Sequence, residues 1–294
     1  MENNFKLGVM YGLGAYLLWG VLPVYWKLLG AVPAMEILAN RFIWSAVFVF
    51  VILAATGKLG QFISETKAVF STFKTGAVML AAAIAISFNW GTFIWAVEDG
   101  RIVETSMGYY INPLMSVLFG MVFLKERLDK LQTIAVLCAC AGIGVIIVQN
   151  GSLPWVSVVL AVTFASYGLL KKIIAVSALT SIMLETLLIS PIAIGYMYYL
   201  SLNGGNAYQG GDMGLIALLV CAGAVTATPL ILFTACAKLL PLKIVGFMQY
   251  LSPTITLLLG VFVYGEAFTA SHLAAFGCIW IGLVFFTWSQ IRSK

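Results

Sequence analysis

Polar residues interrupt an almost continuously apolar sequence at regular intervals. They divide it into about ten runs of roughly twenty residues each, the length that crosses a bilayer. In order the runs are 7–29, 36–56, 75–97, 102–124, 131–148, 155–174, 180–200, 213–237, 242–264 and 271–290. Each predicts a helix, because a helix satisfies its own backbone where lipid offers no partner. The connections are short, with two exceptions. Residues 57–74 are basic, and Phe62, Val69, Phe70 and Phe73 fall near one helical face, which predicts a short helix in the membrane interface, the alternative being a solvated linker. Residues 203–212 are glycine-rich and read as a flexible loop without chemistry.

The same pattern occurs twice. SMGYYINPLMSVLFGMVFLKE (106–126) returns as GFMQYLSPTITLLLGVFVYGE (246–266) at a constant offset of 140 residues. Tyr110 meets Tyr250, Pro113 meets Pro253, Gly120 meets Gly260 and Glu126 meets Glu266; further on, Ala135 meets Ala275 and Gly142 meets Gly282. Earlier spans match more loosely, Trp19-Gly20 with Tyr167-Gly168 and Glu36 with Glu185. The sequence therefore predicts two modules, 1–150 and 151–294, of five spans each. Five is odd, so the second module enters the membrane upside down. The expected fold is an all-α integral membrane protein, ten transmembrane helices forming two inverted five-helix repeats.

Charge sets the orientation. Counted over alternating connections, thirteen lysines and arginines fall on one side and two, Lys27 and Arg101, on the other, with Arg41 inside a span. By the positive-inside rule both termini are cytoplasmic and the expected location is the cell inner (plasma) membrane. Composition agrees: 62% of the 294 residues are hydrophobic and 9% charged, against about 25% charged in soluble domains. The net charge of +5 follows from the loop asymmetry and is no sign of nucleic-acid binding. All five cysteines lie within spans and read as small packing residues. The single histidine, His272, excludes a His/Cys/carboxylate zinc set, and no Walker A sequence or nucleophile elbow is present. No catalytic residue, metal or cofactor is expected, and the chain does not read as an enzyme.

Candidate functional residues gather around the repeated stretch. Pro113, Pro229 and Pro253 each remove a helical hydrogen bond inside a span and are expected to bend it. Tyr109, Tyr110 and Asn112 in one copy, and Gln249, Tyr250 and Ser252 in the other, lie beside the paired prolines. Trp19, Asn89 and Trp90, with Thr226, Thr228 and Thr234, add polar groups on an aromatic wall, as a small-molecule pocket does; hydrogen bonding that only glues helices together is the alternative. Lys27, Glu36, Glu98 and Glu185 mark mouths and read as gate charges or snorkelling helix ends, and Lys171 with Lys172 as snorkelling ends. Arg41 is expected to find an interior partner and to bias the path toward an anionic group. Glu126 and Glu266 close the two copies on opposite faces, as end anchors or gate elements.

WGVLPVYWK (19–27), EILANRFIWS (36–45), FNWGTFIWAV (88–97), SMGYYINPLMSVLFGMVFLKERL (106–128) and SYGLLKK (166–172), in that order, closely resemble the RarD-type branch of the EamA drug/metabolite transporter superfamily. The resemblance spans essentially the whole chain. It implies a ten-helix, two-repeat inner-membrane carrier with its cavity between the repeats, lined by spans 1, 3, 4, 6, 8 and 9. The expected function is a secondary transporter, an exporter or facilitator, moving a small metabolite or drug-like solute by alternating access. The expected partners are that solute, the lipid bilayer and a second copy of the chain in a homodimer. A lipid-acting membrane enzyme would show a polar catalytic cluster at one face, and a non-transporting sensor would need no cavity.

The orientation can be measured directly. In a background lacking the five native cysteines, a cysteine at Asn206 should react with an impermeant maleimide on intact cells, and one at Gly57 only after permeabilisation. The reverse pattern refutes the loop-charge assignment.

Overall fold

Every regular element among the described residues of this computed structural model is helical; the description covers residues 2–125, 128–174, 176–240 and 248–292. The helices are α1 (Glu2–Leu28), α2 (Ala34–Ala55), α3 (Leu59–Val69), α4 (Phe73–Glu98), α5 (Ile102–Leu124), α6 (Lys130–Asn150), α7 (Trp155–Ile173), α8 (Ala178–Leu202), α9 (Met213–Leu239), α10 (Leu251–Leu258) and α11 (Ala270–Arg292). Among the described residues eight helices are long and apolar enough to cross a membrane; Trp155–Lys171 and Leu251–Val263 are shorter apolar segments. The expected interfacial helix is α3, whose buried Val69 joins Met79 and Leu184 in a small cluster.

Exposure follows the hydrophobic pattern inverted. Leu13, Leu17, Val21, Val24 and Leu28 form an exposed stripe down α1, at spacings that keep one face of a helix outward. Water would penalise a continuous apolar face of this kind, whereas lipid accepts it. Helix ends are capped by side chains from nearby connections: Thr72 for α4, Asp129 in a capping box with Gln132 for α6, Ser177 for α8 and Asp212 for α9.

Helix α5 is capped from far away. Arg101 at its N-cap makes no side-chain cap. Instead Glu266 Oε1 accepts from Ile102 N at 2.7 Å and Oε2 from Val103 N at 2.8 Å. A carboxylate on two orphan amides at a helix N-terminus meets both their hydrogen-bonding need and the helix dipole. Glu266 is thus an end anchor joining two sequence-distant elements. Its counterpart, Glu126, lies outside the described residues.

Packing between helices is reciprocal. Helix α1 packs on α9 as α7 packs on α4; α5 meets α7 as α10 meets α1; α2 meets α9 as α8 meets α4. Helices α2 and α8 pack together, as do α6 and α11. At the last of these a Cβ on Gly142 would stand 2.8 Å from Ala275 O, and one on Gly282 would stand 2.8 Å from Ala135 O. These are the same contact read in both directions at the 140-residue offset. The offset also holds in the backbone: Lys125, the C-cap of α5, has φ 57°, and Gly265 has φ 65°. Glycine occupies that left-handed conformation freely, and lysine does so at a cost of ~1–2 kcal/mol.

The prolines do not behave alike. Helix α5 runs unbroken through Pro113, and α9 through Pro229. Pro253 was expected inside a span, but Gln249 and Tyr250 form a turn and α10 begins at Leu251. Pro253 therefore sits in the first turn of a helix, where its missing N–H leaves no ladder bond unmade. The interruption precedes the proline. Beyond it α10 passes into a single π turn, Leu259–Val263.

Two outcomes test these contacts. Glu266→Ala should destabilise the protein by ~1–3 kcal/mol, the value of a charge-assisted cap, with Glu266→Gln retaining part of it; thermal unfolding in detergent measures both. Glu65 Oε2 accepts from Ser177 N at 3.1 Å and from Ser177 Oγ at 2.8 Å, tying α3 to the start of α8. Burial alone would raise this carboxyl, but hydrogen bonds from Thr180, Gln61 and Ser177 outweigh it and hold it below its ordinary range. Because the folded pKa is depressed, the stabilisation is present above the unfolded carboxylate pKa and is lost as pH falls through the folded value. The gap in melting temperature between wild type and Glu65→Gln should therefore exist near neutral pH and close on acidification.

Candidate functional site

Arg41 lies in mid-α2 and is 4% exposed. A close approach of two helices explains its surroundings. A Cβ on Gly223 would come within 2.3 Å of the backbone of Trp44, so only glycine lets α9 reach α2 here. One rung along this crossing, Arg41 Nε donates to Thr226 Oγ1 at 2.7 Å. The guanidinium carbon stands 3.8 Å above the Trp90 ring and 5.1 Å from that of Trp26, and Phe42 stacks on Trp90 at 5.4 Å. Arg41 does have an interior partner, but it is a hydroxyl. No carboxylate lies within salt-bridge distance among the described residues, and the buried Arg41 Nη1 has no hydrogen-bond partner.

Asn89 joins α4 to α7. Its amide donates to Leu160 O and to Thr163 Oγ1, both at 3.0 Å, and its oxygen accepts from Tyr109 OH at 3.2 Å. The residue is fully buried with both ends of its amide bonded, the geometry of interhelical glue. Tyr109 also packs edge-on against Phe93 and Phe164. Trp19 contacts Tyr16 at 5.5 Å and Phe233 at 5.7 Å. Trp19, Trp90 and Tyr109 share one aromatic cluster with Trp26, Phe42 and Phe93.

Tyr110 and Tyr250 belong to a second cluster, built mainly from α5, α6, α10 and α11 with Ala161 of α7. Their rings stack 6.2 Å apart at 12°, in contact with each other, and Tyr110 shares a hydrogen bond with Thr254. Ser106 Oγ donates to Pro253 O at 2.7 Å across the same seam. Tyr250 OH is buried there without a partner, and Asn112 Oδ1, elsewhere on α5, is buried and unpaired as well. Gln249 and Ser252, in the turn and first helical turn beside Tyr250, are half-buried. The sequence-selected aromatic residues thus fall into two groups, Trp19, Trp90 and Tyr109 in the cluster beside Arg41, and Tyr110 with Tyr250 in the other.

Each end of the bundle carries a carboxylate strap. Glu36, 3% exposed, accepts from Ala207 N at 2.7 Å. Tyr208 donates to Asn40 Oδ1 and accepts from Trp44 Nε1 at 2.8 Å. The 203–212 loop, expected to be flexible and chemically idle, is therefore fastened onto α2. Its sequence could not show this, because the partners lie more than 160 residues away. At the other end Glu185, 2% exposed, takes an ion pair from Lys171 Nζ at 2.7 Å, and hydrogen bonds from Ser181 Oγ at 2.8 Å and Tyr167 OH at 3.0 Å. Lys171 was expected to snorkel; a buried carboxylate holds it instead. Lys27 Nζ donates to the backbone oxygen of Glu98 at 3.3 Å and lies 5.6 Å from the Tyr264 ring. Glu98 Oε1 is buried without a partner. Trp26, Asn40, Trp44, Tyr208 and Ser181 were not singled out from the sequence; the only signal was that Trp26, Asn40 and Trp44 sit in the motifs around Lys27 and Arg41.

Among the described residues no group of three or more His, Cys, Asp or Glu side chains could hold a metal ion. The arrangement offers buried donors and aromatic faces.

The model of the EamA-like transporter family matches residues 6–148. Uncharacterized transporter YojE of Bacillus subtilis is 45% identical over 292 residues, covering 98% of this chain and 96% of that protein. Protein RarD of Escherichia coli K12 is 39% identical over 289 residues, covering 98% and 96%. A solved crystal structure shares the fold at a TM-score of 0.64 over 98% of this chain and 99% of that one, with 18% sequence identity. Motifs in the order of the RarD-type branch, full-length relatives and an all-helical, lipid-facing architecture agree: the chain belongs to the EamA-like transporter family, in its RarD-type branch.

Proposed function

We propose that this protein is a secondary carrier, an exporter or facilitator, that moves a small organic solute across the inner membrane by alternating access. Its ten spans form two five-helix halves of opposite orientation, with both termini cytoplasmic. The observation that carries this reading is the reciprocal packing. Contacts that recur at a fixed offset, including Gly142 on Ala275 and Gly282 on Ala135, are what a pseudo-two-fold axis produces. Two halves so related can exchange roles, and the exchange opens one end while closing the other.

In this reading the Arg41 cluster lies on the solute path and the straps at Glu36 and Glu185 are the gates. Their placement supports it. Glu36 and Glu185 occupy corresponding positions in the two halves, and each fastens an element at a different end of the bundle. The Tyr110–Tyr250 stack joins the repeated stretches of the two halves and serves as the hinge seam. Lipid-acting catalysis receives no comparable support from any polar cluster described above.

Purified protein in proteoliposomes, loaded with a panel of unlabelled metabolites and drug-like solutes and assayed for counterflow at several pH gradients, should exchange at least one labelled solute. Glu36→Ala and Glu185→Ala should each change the exchange rate by roughly tenfold or more, as expected for losing hydrogen bonds to a charged group. Absence of counterflow for every solute in properly folded protein refutes the carrier reading.

A further inference from the structure

Two buried donors meet at α1 and α2 with nothing to accept from them. Arg41 Nη1 and Trp26 Nε1 both lack partners, and the Trp26 ring centre stands 5.1 Å from the guanidinium carbon. Trp26 is fully buried and Arg41 is 4% exposed. A buried cation without a counter-ion is costly, and an unmet N–H adds to that cost. Among the described residues no carboxylate pairs with Arg41, and the buried Glu36 and Glu185 are bonded elsewhere, to Ala207 N and to Lys171. Thr226 holds Nε and Trp90 covers the guanidinium face at 3.8 Å, which fixes the plane and leaves Nη1 unbonded.

We propose that Arg41 and Trp26 form the head-group site for the carboxylate of an amphipathic organic monoanion, whose apolar body lies along Trp90, Phe42 and Phe93. This deepens the carrier reading and rests on it for the route by which the ligand arrives. The charge count selects a monoanion: one guanidinium and one neutral N–H match a carboxylate and leave the second charge of a phosphate dianion unmet. The aromatic wall selects the body, because flat apolar faces reward burial of rings or alkyl chains and offer sugars few partners. A carboxylate accepting from both donors neutralises the buried charge and satisfies both N–H groups at once. Since Nη1 is buried in this conformation, the site is reached when α1, α2 and α9 separate during exchange.

The test uses purified full-length protein and paired probes: phenylacetate, indole-3-acetate, benzoate and octanoate, each with its neutral amide. Binding is followed by tryptophan emission and thermal shift. At least one acid should bind while its amide does not. Arg41→Gln should weaken that acid by about tenfold or more, and Trp26→Phe, which keeps an aromatic ring and removes the N–H, by about three- to tenfold. Arg41→Lys, retaining the charge, should recover part of the affinity and separates lost binding from lost folding, which size-exclusion profiles check independently. Equal binding of acid and amide, no binding by any acid, or unchanged affinity in Arg41→Gln overturns the assignment. Counterflow on the same preparations distinguishes the two levels. Exchange of a neutral solute untouched by Arg41→Gln would refute the carboxylate site and leave the carrier standing. An acid that binds at Arg41 and is never moved would do the opposite.

Discussion

Lipid offers no hydrogen-bond partner, and the rest of the molecule depends on that constraint. The backbone answers it with helices, leaving only helix ends to be met. Where the chain supplies a local Asp, Ser or Thr, the cap is local, as at Asp129 and Ser177. Where it does not, as at Arg101, a carboxylate is brought from Glu266, 164 residues from the Ile102 amide it caps, and the cap becomes a tertiary link. Side chains face the same demand. Asn89 meets it completely, with Leu160, Thr163 and Tyr109 on its three sides. Arg41 meets it only in part, through Thr226. Among the described residues Arg41 Nη1 is one of six buried side-chain atoms without a partner, and the one that belongs to a cation.

Close packing decides where such groups can meet. Without water there is little hydrophobic drive between helices, so association relies on close contact of small residues. Gly223 brings α9 onto the backbone of α2 at Trp44, and the approach sets Thr226 beside Arg41. Gly108 does the same for α5 on α7, where a Cβ would come within 2.9 Å of Ser157 O. Gly142 and Gly282 do it for α6 on α11. A larger residue at any of these positions would move a whole helix, and the polar contacts beyond it would lengthen together.

Much of the helical plan is legible in the sequence because lipid imposes one length and one composition on every span. The boundaries of α5 match the apolar run 102–124 for this reason. The duplicated stretch is legible too, since Gly142, Gly282 and the left-handed position at Lys125 and Gly265 keep their offset. Legibility ends where partners are remote or where proline has two meanings. Pro113 and Pro253 look equivalent as letters, yet one is interior to a helix and the other opens one. Nothing local distinguishes the two, because the break depends on the turn at Gln249 and Tyr250. The 203–212 loop read as idle since its glycines were visible and the Glu36 carboxylate that fastens it was not. For the candidate site, a charge within a span singled out Arg41, and polar groups on an aromatic wall singled out Trp90 and Tyr109, but neither signal separates these from Tyr110 and Tyr250. Neighbours in sequence, Tyr109 and Tyr110 point to different clusters because consecutive helical positions lie about 100° apart.

The two straps differ in chemistry, and that difference bears on how the molecule would move. Glu36 holds a backbone amide of a loop, a bond that water replaces readily once the loop lifts. Glu185 holds a lysine ammonium, a serine and a tyrosine, and releasing it separates two charges in a partly buried setting. Corresponding positions in two halves thus carry latches of unequal strength. A perfectly symmetric pair would leave the two closed states equal in energy and give the carrier no resting orientation. In the proposed carrier, unequal latches would break that degeneracy by the difference between their release costs, so the residues facing Glu36 and Glu185, more than the helical frame, would set which end rests closed. A solute that neutralises Arg41 would, in the proposed carrier, act on the same balance, because α2 carries both Glu36 and Arg41.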